Sequence, residues 1–217
     1  MSARGIFITI EGGEGVGKST NIAILDQFLR DQGIEIVVTR EPGGTPLGEE
    51  IRELLLHNRS DRVSVMTELL LIFAARAQHI SECIEPALAA GKWVLCDRFT
   101  DATYAYQSGG RGVEPDTVRR LEELVQGTLR PDYTILLDVS IATGMARARG
   151  RGELDRIELE TMDFFERVRA SYLEQAGSDR RRYRIVDASV SMEEVQQQIL
   201  NIASEFLTHR EGEGGSW

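Results

Sequence analysis

The sequence predicts an α/β fold in which a five-stranded parallel sheet carries helices on both faces. Three observations predict it. Five short, mostly apolar runs alternate with segments whose apolar residues recur every three or four positions, the alternation that βαβ units produce. The first run leads straight into Gly12-Gly13-Glu14-Gly15-Val16-Gly17-Lys18-Ser19, a G-x-x-x-x-G-K-[ST] match placed between a strand and a helix, as that pattern requires. Glu11, Arg40, Asp97, Arg98 and Asp138 then fall at or just after run ends, the carboxyl edge where ligands of such sheets sit.

Each element follows from its residues. The strands are expected at Ile6 to Ile10, Ile34 to Thr39, Trp93 to Cys96, Tyr133 to Asp138 and Tyr183 to Val186, because β-branched and apolar runs suit strands buried on both faces. Ile22, Leu25, Phe28 and Leu29 keep helical spacing after the glycine loop, and Gly33 is placed to end that helix. Further helices are expected over 46–56, 65–90, 114–126, 140–148, 156–175 and 191–208, with Pro86 kinking or restarting the long second one. Residues 147–156 break the apolar periodicity and carry two glycines with Arg147, Arg149 and Arg151. Alternating arginines do not share a helical face, so this stretch is read as a basic loop that closes over phosphates. The expected organisation is one domain over 1–209 with this lid, followed by a disordered tail at 210–217.

Composition narrows the partners. A net charge of -10 argues against nucleic acid or an anionic membrane as partner, and no apolar stretch approaches the roughly 18 residues of a membrane span. Of 25 basic residues only Lys18 and Lys92 are lysines, and arginine holds phosphates bidentately. Cys83 and Cys96 show no metal spacing and read as reduced core residues of a cytoplasmic protein. The wide apolar face of Met66, Leu69, Leu70, Phe73, Ala77 and Ile80 is broad enough for both a core and a homodimer contact.

The glycine loop is a phosphate cradle. Residues without a Cβ let successive backbone N–H groups converge on phosphate oxygens at the start of a helix. Residues 12–20, Gly12 through Thr20, are therefore the ATP site, with Lys18 reaching the β and γ phosphates and Ser19 ligating Mg²⁺. Asp97-Arg98 sets a carboxylate for a Mg²⁺-bound water beside a guanidinium for a phosphate. Thr39-Arg40-Glu41-Pro42-Gly43-Gly44-Thr45 leaves Arg40 at the same rim. Phe73 and Arg76, three apart, suit a nucleobase by stacking and by donation to an exocyclic oxygen. The bland alternatives are a strand-end ion pair at Asp97-Arg98 and a core position for Phe73.

With those motifs in hand, the span from about Ile6 to Leu207 resembles bacterial thymidylate kinases, nucleoside monophosphate kinases with a P-loop NTPase-like three-layer fold. Tyr106-Gln107-Ser108-Gly109-Gly110-Arg111-Gly112 and the run from Arg149 to Glu158 carry the likeness further. The resemblance implies transfer of the ATP γ-phosphoryl to dTMP with Mg²⁺. It places Glu14 near the nucleotide sugar, Phe73 on thymine, Arg76 at its O4, and Thr103 and Gln107 beside the base. It also implies that Tyr106 crowds the 2′ position and that Arg40 and Arg98 hold the monophosphate. Gly15 stands where one group of the family has a catalytic arginine, so Arg147, Arg149 and Arg151 would serve from the lid. Many members carry the stacking aromatic four residues before the arginine, which here is Ile72.

Two other readings share the cradle. A different P-loop nucleotide or deoxynucleoside kinase would need a base if its acceptor were a hydroxyl. An ATP-driven switch would hydrolyse without acceptor. A guanine switch is excluded, since the one lysine outside the cradle sits in Gly91-Lys92-Trp93, where no Asn-Lys-x-Asp is possible.

Overall fold

The computed structural model describes residues 4–58, 61–150 and 154–213, with side chains as far as 208. All five expected strands are present, as β1 (Phe7–Glu11), β2 (Ile36–Arg40), β3 (Trp93–Asp97), β4 (Tyr133–Asp138) and β5 (Tyr183–Asp187). They form one parallel sheet in the order β2-β3-β1-β4-β5. β1 is central, and the chain lays β2 and β3 to one side of it and β4 and β5 to the other. The crevice at its carboxyl end is therefore a switch point, where such sheets bind ligands. Register brings Ile10 level with Asp97 and Asp97 level with Arg40.

Alternating strand residues feed two layers. Ile8, Ile10, Ile135 and Leu137 pack with Leu25 and Leu29 of α1 (Lys18–Asp31) and with Ile199, Ala203 and Phe206 of α9 (Met192–Glu213). On the opposite face Leu136 and Tyr183 meet Phe164, Phe165, Val168 and Tyr172 of α8 (Met162–Ser178), while Phe7, Val94 and Cys96 meet Ile80, Ile84 and Leu88. Each fully buried leucine or isoleucine here contributes roughly 2 kcal/mol through surface removed from water.

Most helix limits follow their caps. α2 (Pro46–Leu56) starts behind Thr45, whose side chain accepts from Gly48 N, with proline in the first turn. α6 (Pro115–Gln126) likewise opens on proline. The long helix expected over 65–90 is three pieces: α3 (Val65–His79), a π-helical turn over Ile80–Ile84, and α4 (Glu85–Ala89), which Pro86 opens. α5 (Thr100–Thr103) and a π-helical stretch, Tyr104–Gly110, were not anticipated, because a run with three glycines nearby shows no clean 3.6 period. α7 (Ile141–Arg149) is capped by Ser140 and takes in Arg147 and Arg149, so these two sit on a helix and not in the loop expected of them. Residues 156–160 form turns, and α8 begins later than expected, behind the Thr161 cap. α9 runs to Glu213, into the stretch expected as a tail. Residues 214–217 lie outside the described residues. Among the described residues no helix is long and apolar enough to cross a membrane.

Candidate active site

Two hollows flank the phosphate cradle at the carboxyl edge of the sheet. The cradle itself links β1 to α1, and Gly12, Gly15 and Gly17 take φ of 137, 69 and 90 degrees, which side-chain-bearing residues rarely adopt. Lys18 Nζ donates to the carbonyls of Gly12 (3.2 Å) and Gly13 (2.9 Å), held against the loop whose ligand it would meet. Burial and the neighbouring Arg98 lower its pKa, while Glu14, Asp97 and Glu11 oppose that shift. Val16 is buried beneath the loop, and Ser19 and Thr20 are exposed on the first turn of α1.

The first hollow is a partly open cavity lined by Glu14, Arg76, Arg98, Thr103, Tyr106 and Gln107, six of the residues expected to bind an acceptor. Arg98 stands at its inner end with φ of 68 degrees, a left-handed backbone that a non-glycine residue holds only when its surroundings enforce it. Its Nη2 donates to Glu14 Oε1 (2.6 Å), its guanidinium covers the Tyr106 ring at 4.6 Å, and Tyr106 Oη donates to the same Glu14 oxygen (2.7 Å). Burial works against the Glu14 charge, but Arg98 and Lys18 outweigh it and bring its carboxyl down to about 2. Glu14 is therefore a fixed anion.

At the other end Arg76 is 1 % exposed. Its Nε donates to Glu41 Oε2 (2.7 Å) and its Nη2 to Thr103 Oγ1 (2.9 Å), while Nη1 is buried with no partner. Gln107 Nε2 donates to Glu68 Oε1 (2.9 Å), which Arg111 Nε also holds, while Arg156 Nη2 holds Oε2 of the same carboxylate. Asp155 and Arg156, the described end of the lid, line the cavity, and Arg156 Nε donates to the Leu55 carbonyl (2.8 Å).

Three expectations need correction. Phe73 does not reach the cavity: it is buried with Leu69 and Val118 against α6, because a position one residue along the helix turns by 100 degrees, and Ile72 faces the cavity instead. Arg40 does not line it either. Its Nη2 pairs with Glu49 (2.8 Å), and it borders the second hollow, while Arg52, missed in the sequence, lines the first. Cys83 is not a core residue: it is half-buried beside Thr39 in that second hollow, whereas Cys96 is buried as expected. A signal for Arg52 existed, since it lies four residues after Gly48 on the helix that the Arg40–Thr45 turn opens.

The second hollow brings Ser19 and Asp97 together with Thr39, Arg40 and Glu49. Asp97 Oδ1 is buried there without a hydrogen-bond partner. A third, outer hollow is lined by Gly15, Gly17, Thr20, Asn21 and Arg147, whose Nη1 donates to the Ala188 carbonyl (2.9 Å). Arg149 is exposed at the end of α7. Arg151 lies outside the described residues.

A glycine-loop cradle between two hollows, one ringed with guanidinium groups and amides, defines a nucleoside monophosphate kinase, a phosphotransferase on the P-loop fold. Comparison with known proteins makes the family specific. The family model for thymidylate kinase matches residues 10–199. A thymidylate kinase of Teredinibacter turnerae is 54 % identical over 203 residues, covering 94 % of this chain and 99 % of the relative. One of Pseudomonas entomophila is 56 % identical over 195 residues, covering 90 % and 93 %. Among solved structures, thymidylate kinase from Ehrlichia chaffeensis matches with a TM-score of 0.75 at 30 % identity, covering 93 % of this chain and 99 % of that one. The chain belongs to the thymidylate kinase family.

Proposed function

We propose that this chain phosphorylates dTMP to dTDP with ATP as donor, and that the first cavity holds dTMP while the cradle holds ATP. The observation that carries the acceptor assignment is Arg76 Nη1, a buried donor with no partner on the cavity wall. A carbonyl oxygen of a base would satisfy it, and an unmet buried charged donor is costly. Thr103 and Gln107 flank that end, and Tyr106, fixed by Glu14, narrows the middle where a sugar would lie.

Arg98 and Arg52 are the cationic pair for the acceptor phosphate. Burial and the charge of Arg40 lower the pKa of Arg52, with Arg98 adding to the effect, so an anion there relieves a concentration of positive charge. The acceptor is already a phosphate oxygen, so no general base is required. In-line transfer then depends on position and on neutralising charge at the moving oxygens. The backbone N–H groups of the cradle and Lys18 serve the donor side, with further guanidinium groups from Arg147 and Arg149 on α7 and from Arg151.

Asp97 and Ser19 fit Mg²⁺. Among the described residues no three acidic, histidine or cysteine groups gather as a metal cage, but a hydroxyl and a partnerless carboxylate oxygen share one hollow beside the cradle. This suits an ion held mostly by phosphates and water. When bound it neutralises charge between the donor phosphates.

A homodimer is part of this reading: Met66, Leu70, Ala74 and Ala77 lie exposed along one side of α3. So is a cytoplasmic location, which the two free cysteines favour. ADP release with dTMP, dUMP, dGMP, dCMP and thymidine offered separately tests the assignment. Turnover led by dTMP is expected, and absence of turnover with dTMP overturns it.

A further inference from the structure

Glu11 is wholly buried at the end of β1, one residue before the cradle, and no ligand role falls to it. A carboxyl group in such a place is expensive unless its oxygens are met. Both are met, one by Phe99, which lines the acceptor cavity, and the other by Tyr172, which packs behind it. Oε1 accepts from the backbone N of Phe99 at 2.7 Å, and Oε2 accepts from Tyr172 Oη at 2.8 Å.

The first bond falls on the peptide that leaves Arg98, the residue whose φ of 68 degrees is strained backbone for any residue but glycine. On its other side Arg98 N donates to the Ile10 carbonyl at 3.0 Å. The left-handed turn is thus pinned at both ends by β1, by Ile10 before it and by Glu11 after it. Without the second pin the turn would relax towards ordinary backbone, and the guanidinium would swing away from Glu14 and the cavity. The second bond reaches Tyr172 on α8, whose ring meets the edge of Tyr106 with centroids 6.3 Å apart. Glu11 therefore braces from below the same frame, Arg98, Tyr106 and Glu14, that closes the cavity's inner end.

We propose that Glu11 is a positioning residue for the acceptor phosphate: its side chain fixes the Arg98 backbone through the Phe99 N–H and so aims the Arg98 guanidinium. The inference rests on the assignment of Arg98 to the acceptor phosphate. Burial and the nearby Asp101 push the Glu11 carboxyl up to about 8, so a glutamine amide is a close substitute for the neutral acid. It keeps an oxygen to accept from Phe99, and Tyr172 rotates its hydroxyl to accept from the new amide. Aspartate keeps the acid but withdraws its oxygens from Phe99.

The test measures KM for dTMP and for ATP in E11Q, E11D, R98A and the E11D/R98A pair, with thermal midpoints recorded for each. E11D is expected to raise the dTMP KM about tenfold, the scale of a displaced charge-assisted contact, while the ATP KM stays within about twofold. E11Q is expected to stay within about threefold of the wild type on both. In the R98A background E11D should add almost nothing, because it acts through Arg98. Equal rises in both KM values, additivity with R98A, or an E11Q as defective as E11D would overturn the proposal. E11Q and R98A keep it falsifiable if E11D fails to fold, since an E11Q that raised the ATP KM as much as the dTMP KM would also reject it. Wild-type enzyme inactive on dTMP would instead reject the acceptor assignment itself.

Discussion

Gly15 lies so close to Gly144 that a Cβ on Gly15 would stand 1.8 Å from the Gly144 carbonyl oxygen. The cradle and α7 are thus in backbone contact, and the φ of 69 degrees at Gly15 disfavours any side chain as well. An arginine cannot be carried in the loop on this backbone, which leaves the charge-neutralising guanidinium groups to α7 and the lid. Gly15→Ala is expected to cost at least ~2 kcal/mol of stability, because the obstacle is backbone that cannot rotate aside. Urea unfolding measures this. Gly15→Arg should likewise fail to restore turnover to an Arg149→Ala enzyme in the ADP-release assay.

Arg40 ends β2 and Arg52 lies within α2, yet the two face different hollows. Arg52→Ala is expected to raise the dTMP KM about tenfold with the ATP KM nearly unchanged, the loss of one charge-assisted phosphate contact. Arg40→Ala removes an exposed pair with Glu49 and should shift the dTMP KM less than about threefold. Steady-state kinetics with each substrate varied in turn distinguishes the two; equal effects would return the phosphate to Arg40.

Neighbouring positions on α3 divide between cavity and core. Ile72 borders the cavity, whereas Phe73 is packed with Leu69 and Val118 and carries the Arg76 guanidinium at 4.8 Å. Ile72→Ala should weaken dTMP about fivefold, near 1 kcal/mol of lost apolar contact. Phe73→Leu should cost less than about 1.5 kcal/mol in urea unfolding and move the dTMP KM less than twofold. A larger KM effect at Phe73 than at Ile72 would restore the stacking role read from spacing.

The sheet was legible because its strands are buried on both faces and announce themselves as apolar runs, and the cradle because glycine spacing has one strong physical cause. The first cavity was legible where residue type carries chemistry, as at Arg76 and Arg98, whereas Gln107 came only from the family resemblance. It was not legible where rotation about a helix decides, and Ile72 and Phe73 differ in role by 100 degrees of turn that no composition reveals. Arg147 and Arg149 were read as loop because two arginines at alternate positions cannot share a face; on α7 they do not share one, and the helix ends there regardless. Glu11 was placed at the sheet's ligand edge, but its role was not legible, since its partners, Phe99 and Tyr172, come from 88 and 161 residues away.

Glu11 also predicts how stability varies with pH. Burial, reinforced by Asp101, raises its carboxyl from an ordinary 4.5 to about 8, against the pull of the Tyr172 and Phe99 bonds and of Arg98. The folded protein therefore keeps a proton that the unfolded chain gives up, and its contribution is full below pH 4.5 and is lost as pH rises through about 8. His79 acts in the same direction at higher pH: burial opposes its charge, but hydrogen bonds to Cys83 and Glu41 raise it from 6.5 to about 9. Glu14, brought down to about 2, contributes stability that is present above pH 4.5 and lost below it, so it does not vary between pH 5 and 8. The thermal midpoint should fall by several degrees from pH 5 to pH 8 in the wild type, and the slope should be flatter in Glu11→Gln, where no proton is at stake. Scanning calorimetry of both proteins across that interval reads the difference, and parallel slopes would mean that Glu11 is charged in the folded protein throughout.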